Sequence, residues 1–328
     1  MDGTAAQAAF QPAMSGANSV VTSAKVRAVL LCLYYTLLKE FSMAIRIVCD
    51  SGADVADLEH KALSVVPLSV IFGNDVYLDD GIQIDHKRFF EMLTDPNAVP
   101  KTGQVTPYQF DQVFKQATEA GEQLIVITIS SRLSGTYESA ISAAQPYDSD
   151  IAIIDSLNAS LGIRVLVEYG LQLIDKGMLF DEVAAALRER VSQLRVVAVL
   201  DTLEFLKRGG RLLKAAAMVG TLLSIKPVIT AKNGAVSLIG KARGSKNANK
   251  VFNQMIEKRG GIDFSLPFAL GYTGLDMSIT TKYMDESRDL YAQATQDVVF
   301  HSMGPTIGTH AGPGTIAIGF FAKDPSEG

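Results

Sequence analysis

The segment SSRLSGTYESA, residues 130–140, places hydroxyl side chains and a glycine between the apolar run QLIVIT and a predicted helix. A nucleophile elbow requires Gly-x-Ser-x-Gly, but around Ser134 the sequence is RLSGT, in which arginine replaces the first glycine. A phosphate loop of the type GxxxxGK[ST] occurs nowhere in the chain. Hydroxyls and backbone N–H groups at the start of a helix favour binding of an anion, because the helix dipole is positive there. The alternative is that Ser134 only caps the helix.

Two further residues with functional side chains lie in predicted loops that contain glycine. Thr102 in PKTGQVTP stands beside Gly103, where a backbone can approach a ligand closely, whereas Thr106 has the simpler role of a helix N-cap ahead of a proline. His310 in IGTHAGPG stands in a predicted loop whose glycines let it approach another part of the fold. A Ser-His pair of Ser134 with His310, and therefore hydrolysis, stays open.

The segment LEFLKRGGRL ends a predicted helix with basic residues, among them Arg208 and Arg211, and a second helix is expected after it. One interpretation is a helix C-terminus whose cations complement the helix dipole. The other is an exposed cationic corner that contacts a phosphate or an acidic partner, for which guanidinium groups are well suited. Arg208 and Arg211 are therefore candidate partner or phosphate contacts.

The composition argues against several classes of protein. The formal net charge is −5 and the lysines and arginines are scattered singly or in pairs, which argues against a nucleic-acid surface. Two cysteines form neither a metal spacing nor a disulfide framework, and four histidines form no HExxH pair, so no metal site is expected. Cysteine usage of this kind favours a reducing, cytoplasmic location.

The apolar runs after the first 42 residues predict strands that alternate with helices. AIRIVC, LIVITIS and DIAIIDS are candidates for short buried strands, each followed by a polar turn. Amphipathic helices are predicted in HKRFFEMLTD, PYQFDQVFKQATEAGE, SLGIRVLVEYGLQLIDKG and FDEVAAALRERVSQ. This alternation implies a parallel sheet covered on both faces, with ligands bound beyond the carboxyl ends of its strands, where residues 130–140 lie.

The second half of the chain contains an antiparallel element. KPVITAKNGAVSLIGKAR has Asn233-Gly234 between two apolar runs, a strong signal for a type I′ hairpin. Further strands are predicted in LPFALGYTG, DVVFHSMG and TIAIGFFAK, with helices in NKVFNQMIEKRG and SITTKYMDESRDLYAQ.

Two domains follow from this pattern, an α/β domain over residues 43–194 and an α+β domain over residues 195–323. Residues 1–42 are rich in small and polar residues, and their apolar stretch is too short to span a bilayer. We expect them to be a disordered or non-native N-terminal extension.

From residue 43 to its end, the chain resembles the DegV family of bacterial fatty-acid-binding proteins. The matching segments are DSGAD after the first strand, the TGQ loop, SSRLSGTY, LEFLKRGGRL with the later KP, and IGTHAGPG, in the order and spacing of the family. By this resemblance, Thr102 and Ser134 hold the carboxylate of a fatty acid, and His310 lies close to the same carboxylate. Gly103 stands where the family commonly has serine, and valine replaces the common proline two residues later.

The resemblance implies a lipid tunnel between the two domains. The protein would bind one long-chain fatty acid and present its carboxylate to an ATP-dependent fatty acid kinase, which forms the acyl phosphate. Burying about fifteen methylenes at roughly 0.8 kcal/mol each gives on the order of 12 kcal/mol before immobilisation costs. A carboxylate buried without partners would cost several kcal/mol, so hydroxyl and N–H donors must receive it.

A lipid-binding protein of this kind is not itself an enzyme, needs no cofactor beyond its bound fatty acid, and makes at most transient membrane contact. The alternative is a stand-alone serine hydrolase or acyl transferase that uses Ser134 and His310. A transcriptional regulator is a third possibility, which the absence of a basic helix-turn-helix pattern disfavours.

Overall fold

The computed structural model describes residues 43–212 and 225–326. Two predicted segments lie outside the described residues: the N-terminal extension, residues 1–42, and the second helix expected after Arg211. Within the described ranges, no helix is long and apolar enough to cross a membrane. The described residues from Ala44 onwards belong to one compact unit.

The secondary structure of the described ranges alternates between strands and helices in the first half and becomes strand-rich in the second. The strands are β1 (Ala44–Asp50), β2 (Leu63–Val66), β3 (Ser69–Phe72), β4 (Asp75–Leu78), β5 (Lys101–Gly103), β6 (Glu122–Thr128), β7 (Ile151–Asp155), β8 (Leu194–Val199), β9 (Ile225–Lys232), β10 (Ala235–Arg243), β11 (Phe268–Tyr272), β12 (Phe300–Ser302) and β13 (Ile316–Phe321). The α-helices are α1 (His86–Met92), α2 (Pro107–Glu119), α3 (Thr136–Ala144), α4 (Leu161–Asp175), α5 (Phe180–Val191), α6 (Glu204–Arg208), α7 (Ser245–Lys258), α8 (Ser278–Ser287) and α9 (Pro305–Ala311).

The parallel sheet predicted for the first half is confirmed. Its strands lie in the order β2-β1-β6-β7, and every neighbouring pair is parallel. Alternate residues of β1 enter different cores: Val48 packs with Phe110 of α2, whereas Ile47 belongs to the cluster that contains Val165 of α4 and Leu187 of α5. Helices therefore cover both faces, which explains the nearly continuous apolar runs of the central strands.

The second sheet has six strands in the order β10-β9-β8-β13-β11-β12, and only the β11–β12 pair is parallel. Its outer face packs on α7 and α8, where Val197 and Ile318 contact the cluster of Phe252 and Tyr283. The mixed fold, with a parallel α/β part followed by an α+β part, is confirmed. The division at residues 194 and 195 stays a prediction, although β8, which begins at Leu194, is the first strand of this sheet in chain order.

A small antiparallel sheet was missed by the sequence patterns. It has the order β4-β3-β5, and Val70 of β3 pairs with Thr102 of β5. The expectation that Thr102 lies in a loop is therefore wrong, because pairing with β3 fixes its backbone as a short strand. The expected role of Thr106 is confirmed: it caps α2 in a reciprocal capping box with Gln109.

The type I′ hairpin between β9 and β10 is also confirmed. Asn233 and Gly234 both have positive φ, 48° and 79°, and Lys232 pairs with Ala235 across the turn. The turn reaches the serine-rich segment, because Ser130 Oγ donates to the carbonyl oxygen of Gly234 at 2.8 Å. A Cβ at position 234 would lie 2.5 Å from Ser130 Oγ.

Gly234→Ala should therefore lower the free energy of unfolding by about 2–3 kcal/mol, because it adds a steric overlap to the cost of positive φ. Gly73→Ala, in the turn between β3 and β4, is the matched control: φ is +60° there and a Cβ meets nothing within 4 Å. That control should cost about 1 kcal/mol. Urea unfolding measures both, and equal losses would contradict the packing of the turn on Ser130.

Candidate functional site

A cavity of about 450 Å³ lies where the carboxyl edge of the parallel sheet faces the six-stranded sheet. Ile129 and Ala159 line it, and they follow the carboxyl ends of β6 and β7. The opposite wall comes from β8, whose alternate residues Val196 and Ala198 face the cavity, and from Ala317 of β13. The cavity therefore lies beyond the carboxyl ends of the parallel strands, which is where the sequence predicts a ligand site.

Most described side chains that line the cavity are aliphatic, and the described lining contains no carboxylate. Such walls suit an apolar chain and do not repel an anion. The apolar lining consists of Leu68, Ile129, Leu133, Ala159, Val196, Ala198, Leu200, Leu206, Ile229, Ala231, Val236, Met303, Ile307, Ala311 and Ala317. The polar lining consists of Thr102, Gln104, Ser134, Ser160, Arg211, Thr230, Thr306, His310 and Thr315.

Three residues selected from the sequence therefore line one cavity: Thr102, Ser134 and His310. Thr102 Oγ1 lies 2.9 Å from His310 Nε2, which joins β5 to the last turn of α9 across 208 residues of sequence. Ser134 Oγ hydrogen-bonds with Thr136 Oγ1 at 2.8 Å and accepts from Thr136 N at 3.3 Å. Ser134 thus closes the turn before α3, whose N-cap residue is Gly135 rather than a serine.

The hydrogen bonds of Ser134 and His310 do not form the pair that a serine nucleophile needs. Ser134 is bonded to Thr136, whereas the Nε2 atom of His310 contacts Thr102. A base that activates a nucleophile lies within hydrogen-bond distance of it. The hydrolase or acyl transferase alternative consequently gains no support from these contacts.

The expectation that His310 lies in a loop is wrong, because Pro305–Ala311 forms helix α9. Pro305 stands at the first helical position and Gly312, with φ 71°, directly follows the last one, the usual asymmetry of a short helix. Gly308 lies inside the helix, where its missing side chain leaves room for Phe89 and Phe90. The glycines of this segment thus serve helix packing and termination, which a loop interpretation overlooked.

His310 is neutral at pH 7. Burial lowers its pKa to about 4, and the positive charge of Arg211 acts in the same direction. Its Nδ1 atom is buried without a hydrogen-bond partner in the described part of the chain. An unpaired buried N–H group is rarer than an unpaired acceptor, so the favoured tautomer carries its proton on Nε2. Nε2 then donates to Thr102 Oγ1 and leaves the Thr102 hydroxyl proton for a ligand.

This pKa has a consequence for stability. The pKa of His310 is lower in the folded state than in the unfolded chain, so the unfolded state binds more protons between pH 6.5 and pH 4. Stability from neutral His310 is therefore present above pH 6.5 and is lost as the pH falls towards 4. Between pH 7 and pH 5, the parent should lose about 1–2 kcal/mol more unfolding free energy than His310→Gln. Urea unfolding at both pH values measures this, and parallel losses would refute it.

The two arginines singled out in the sequence occupy different environments. Arg211 lines the cavity, where Nε donates to the Leu133 carbonyl at 3.1 Å and Nη1 donates to the Gly209 carbonyl at 2.7 Å. Burial lowers the pKa of Arg211. Arg208, in α6, is exposed and pairs with Glu204, with Nε and Oε1 3.0 Å apart. Arg211 thus ties its segment to the serine-rich segment, while Arg208 stays on the surface.

Sequence reasoning missed two aspartates that fix the start of α9. Asp54 Oδ1 accepts from Gly304 N at 2.7 Å, and Asp79 Oδ2 accepts from Thr306 N at 3.1 Å. Burial raises the pKa of Asp54 to about 7 and that of Asp79 to about 6. The DSGAD motif suggested only local helix caps for Asp54, and Asp79 carries no signal, because both partners are more than 200 residues away along the chain.

Gln104 was also missed, although it lines the cavity beside Thr102. Its Nε2 atom donates to Ser139 Oγ at 2.9 Å and to the Gly135 carbonyl at 3.3 Å, which links β5 to the start of α3. No group of three or more histidine, cysteine, aspartate or glutamate side chains that could hold a metal ion occurs in the ranges that the structure describes.

Comparison with known proteins gives consistent matches over most of the chain. The family model described as "Uncharacterised protein, DegV family" matches residues 44–323. A DegV domain-containing protein of Caldanaerobacter subterraneus subsp. tengcongensis is 31% identical over 285 residues, which cover 85% of this chain and 99% of that protein.

Two solved structures are similar over the same part. One, described as fatty acid binding of a DegV family protein from Thermus thermophilus, has a TM-score of 0.76 at 31% identity, covering 85% of this chain and 100% of that one. The other is the X-ray structure of the Streptococcus pneumoniae Fatty Acid Kinase (Fak) B3 protein loaded with linoleic acid. Its TM-score is 0.74 at 26% identity, covering 85% of this chain and 99% of that one.

Proposed function

The chain belongs to the DegV family, and on that premise we propose that it binds one long-chain fatty acid in the 450 Å³ cavity. The observation that carries the proposal is the composition of the cavity wall, which is mostly aliphatic and includes Thr102, Ser134, His310 and Arg211 among its polar residues. The Thermus and Streptococcus structures, whose descriptions name fatty-acid binding and bound linoleic acid, support it.

The acyl chain would lie along the aliphatic wall and supply most of the affinity, because each buried methylene contributes about 0.8 kcal/mol. The carboxylate would receive hydrogen bonds from the hydroxyls of Thr102 and Ser134, with His310 beside it. Arg211, on the same wall, would compensate the negative charge. The neutral state of His310 fits this role, since its ring adds no charge that needs a counter-ion and its Nε2–H group leaves the Thr102 hydroxyl proton for the carboxylate.

We further propose that the bound carboxylate is presented to an ATP-dependent kinase partner, which phosphorylates it to acyl phosphate. The description of the Streptococcus protein as a fatty acid kinase B3 protein supports this role. The present chain would then carry the substrate while the partner performs the phosphoryl transfer. A cytoplasmic location and at most transient membrane contact are part of the same proposal.

Mass spectrometry of lipid extracted from the natively purified full chain tests the proposal. We expect one fatty acid per chain, displaced by added palmitate or oleate. Binding of fatty acid that is substoichiometric and insensitive to Thr102→Val would contradict the assignment of the cavity. An esterase assay on the same preparation tests the hydrolase alternative. That alternative requires ester hydrolysis by the parent that Ser134→Ala abolishes.

Arg208 and Arg211 are proposed contacts for the kinase or for the developing acyl phosphate. Arg208→Ala should leave fatty-acid binding unchanged and lower acyl phosphate formation with the cognate kinase and ATP at least about tenfold. Arg211→Ala should lower both fatty-acid binding and acyl phosphate formation, because Arg211 also donates a hydrogen bond to the Leu133 carbonyl. Arg188→Ala, an exposed arginine on α5, is the control. Equal losses for Arg208→Ala in both assays, or none in either, would exclude a transfer role for Arg208.

A further inference from the structure

A second cavity of about 260 Å³ lies beside the β9–β10 turn, and its described lining is rich in cations. Arg195 of β8, Lys232 at the end of β9 and Arg259 directly after α7 all line it. The described lining includes no aspartate or glutamate. Neither the fatty-acid site nor the transfer step proposed above uses these residues.

Neither arginine of this cationic pocket has a carboxylate partner among the described residues. Arg195 is only 7% exposed, and its guanidinium donates to three backbone carbonyls, those of Ser192, Leu194 and Pro325, at 2.8–3.3 Å. Its Nε atom is buried without a partner in the described ranges, and so is the Nε atom of Arg259. Buried side-chain donors of this kind are almost always paired in native proteins.

The charge of the pocket is also uncompensated. None of the salt bridges among the described residues involves Arg195, Lys232 or Arg259. Burial lowers the pKa of Arg195, and the positive charge of Arg259 lowers it further. Burial lowers the pKa of Arg259 as well. Arg195 is buried and Arg259 is partly buried, and holding like charges close together in such surroundings is unfavourable unless an anion joins them.

We propose that this pocket binds a small soluble anion that carries a phosphate group. A phosphate offers up to two negative charges and several acceptor oxygens to three cations, and planar guanidinium groups recognise it in a bidentate way. Arg259 and Lys232, which are more accessible than Arg195, would contact the phosphate oxygens directly. Arg195 would supply the buried charge beneath them.

Thermal unfolding and calorimetry of the full chain with inorganic phosphate test the proposal, against sodium chloride at equal ionic strength. Phosphate should raise the Tm by roughly 2 °C or more near saturation. Arg259→Gln should weaken phosphate binding about tenfold or more, whereas Lys258→Gln, an exposed lysine that makes the same charge change one residue earlier, should leave it unaltered. Equal stabilisation of both variants, or none of the parent, would overturn the proposal.

Two further experiments distinguish a soluble phosphate from two other possible ligands of the pocket, the chain's own carboxylates and a lipid headgroup. Glu327 follows Pro325 by two residues in the sequence and lies outside the described residues. Phosphate binding that appears only after removal of residues 327 and 328 would overturn the proposal in favour of the chain's own carboxylates. Arg259-dependent binding to phosphatidylglycerol vesicles, without binding of inorganic phosphate, would overturn it in favour of a lipid headgroup. Binding to these vesicles should therefore be the same for the parent and for Arg259→Gln.

Discussion

Thr102→Val should lower the affinity for palmitate or oleate about tenfold to a hundredfold while leaving the fold intact. Valine keeps the shape of threonine but removes the hydroxyl that lies 2.9 Å from His310 Nε2. Two interactions would be lost together, the proposed hydrogen bond to the carboxylate and the partner of the His310 ring. Isothermal titration calorimetry of delipidated protein measures the affinity, and urea unfolding verifies the fold.

Ser134→Ala should weaken binding in the same direction, since its hydroxyl lines the same cavity and has only Thr136 as a described side-chain partner. The matched control for Thr102→Val is Thr281→Val, which makes the same change at an exposed position on α8 outside the cavity lining. The double variant should lose more affinity than either single variant. Affinities equal to that of the parent for both Thr102→Val and Ser134→Ala would refute the head-group assignment.

Gly209→Ala should lower the free energy of unfolding by about 1–3 kcal/mol and weaken fatty-acid binding. The backbone at Gly209 has φ −73° and ψ −7°, which alanine adopts without strain. The loss would therefore come from contact alone, because an added Cβ would overlap Nδ1 of His310. Moving the ring away from Gly209 would break its contact with Thr102, so stability and affinity should fall together.

The neighbouring residue, Gly210, provides the control for Gly209→Ala. Gly210 has φ +71°, and a Cβ there meets nothing within 4 Å, so Gly210→Ala should cost about 1 kcal/mol of stability without changing fatty-acid affinity. A second variant in the Gly209→Ala background, His310→Ala, should recover part of the lost stability, because it removes the overlapping ring. Additive losses in this double-mutant cycle would show that Gly209 and His310 do not interact.

The sequence predicted those parts of the fold whose signals are local. The short, mostly apolar run AIRIVC identified β1, and the Asn233-Gly234 dipeptide identified a turn that does have two positive φ angles. Thr106 ahead of Pro107 identified the start of α2. In each case the physical cause lies within a few residues of chain, in side-chain periodicity, in permitted backbone angles, or in a cap for an unpaired N–H group.

The same local signals failed at β5 and α9. Lys101–Gly103 has no strand pattern, and it is a strand because β3 supplies its backbone partners. The glycines around His310 suggested a loop, yet Pro305–Ala311 is a helix: Asp54 and Asp79 accept hydrogen bonds from backbone N–H groups at its start, and Phe89 fills the space beside Gly308. Partners distant in sequence determined both elements.

For the candidate site, the sequence by itself determined which side chains are available: Thr102, Ser134 and His310, through their motifs and the family that those motifs resemble. Only the tertiary structure decided that Thr102 and His310 are in contact, that Arg211 lines the cavity while Arg208 stays on the surface, and that Arg195 and Arg259 share a second pocket. Short-range patterns fix backbone conformation and side-chain chemistry, whereas burial, pKa and contact depend on which distant segments the folded sheets bring together.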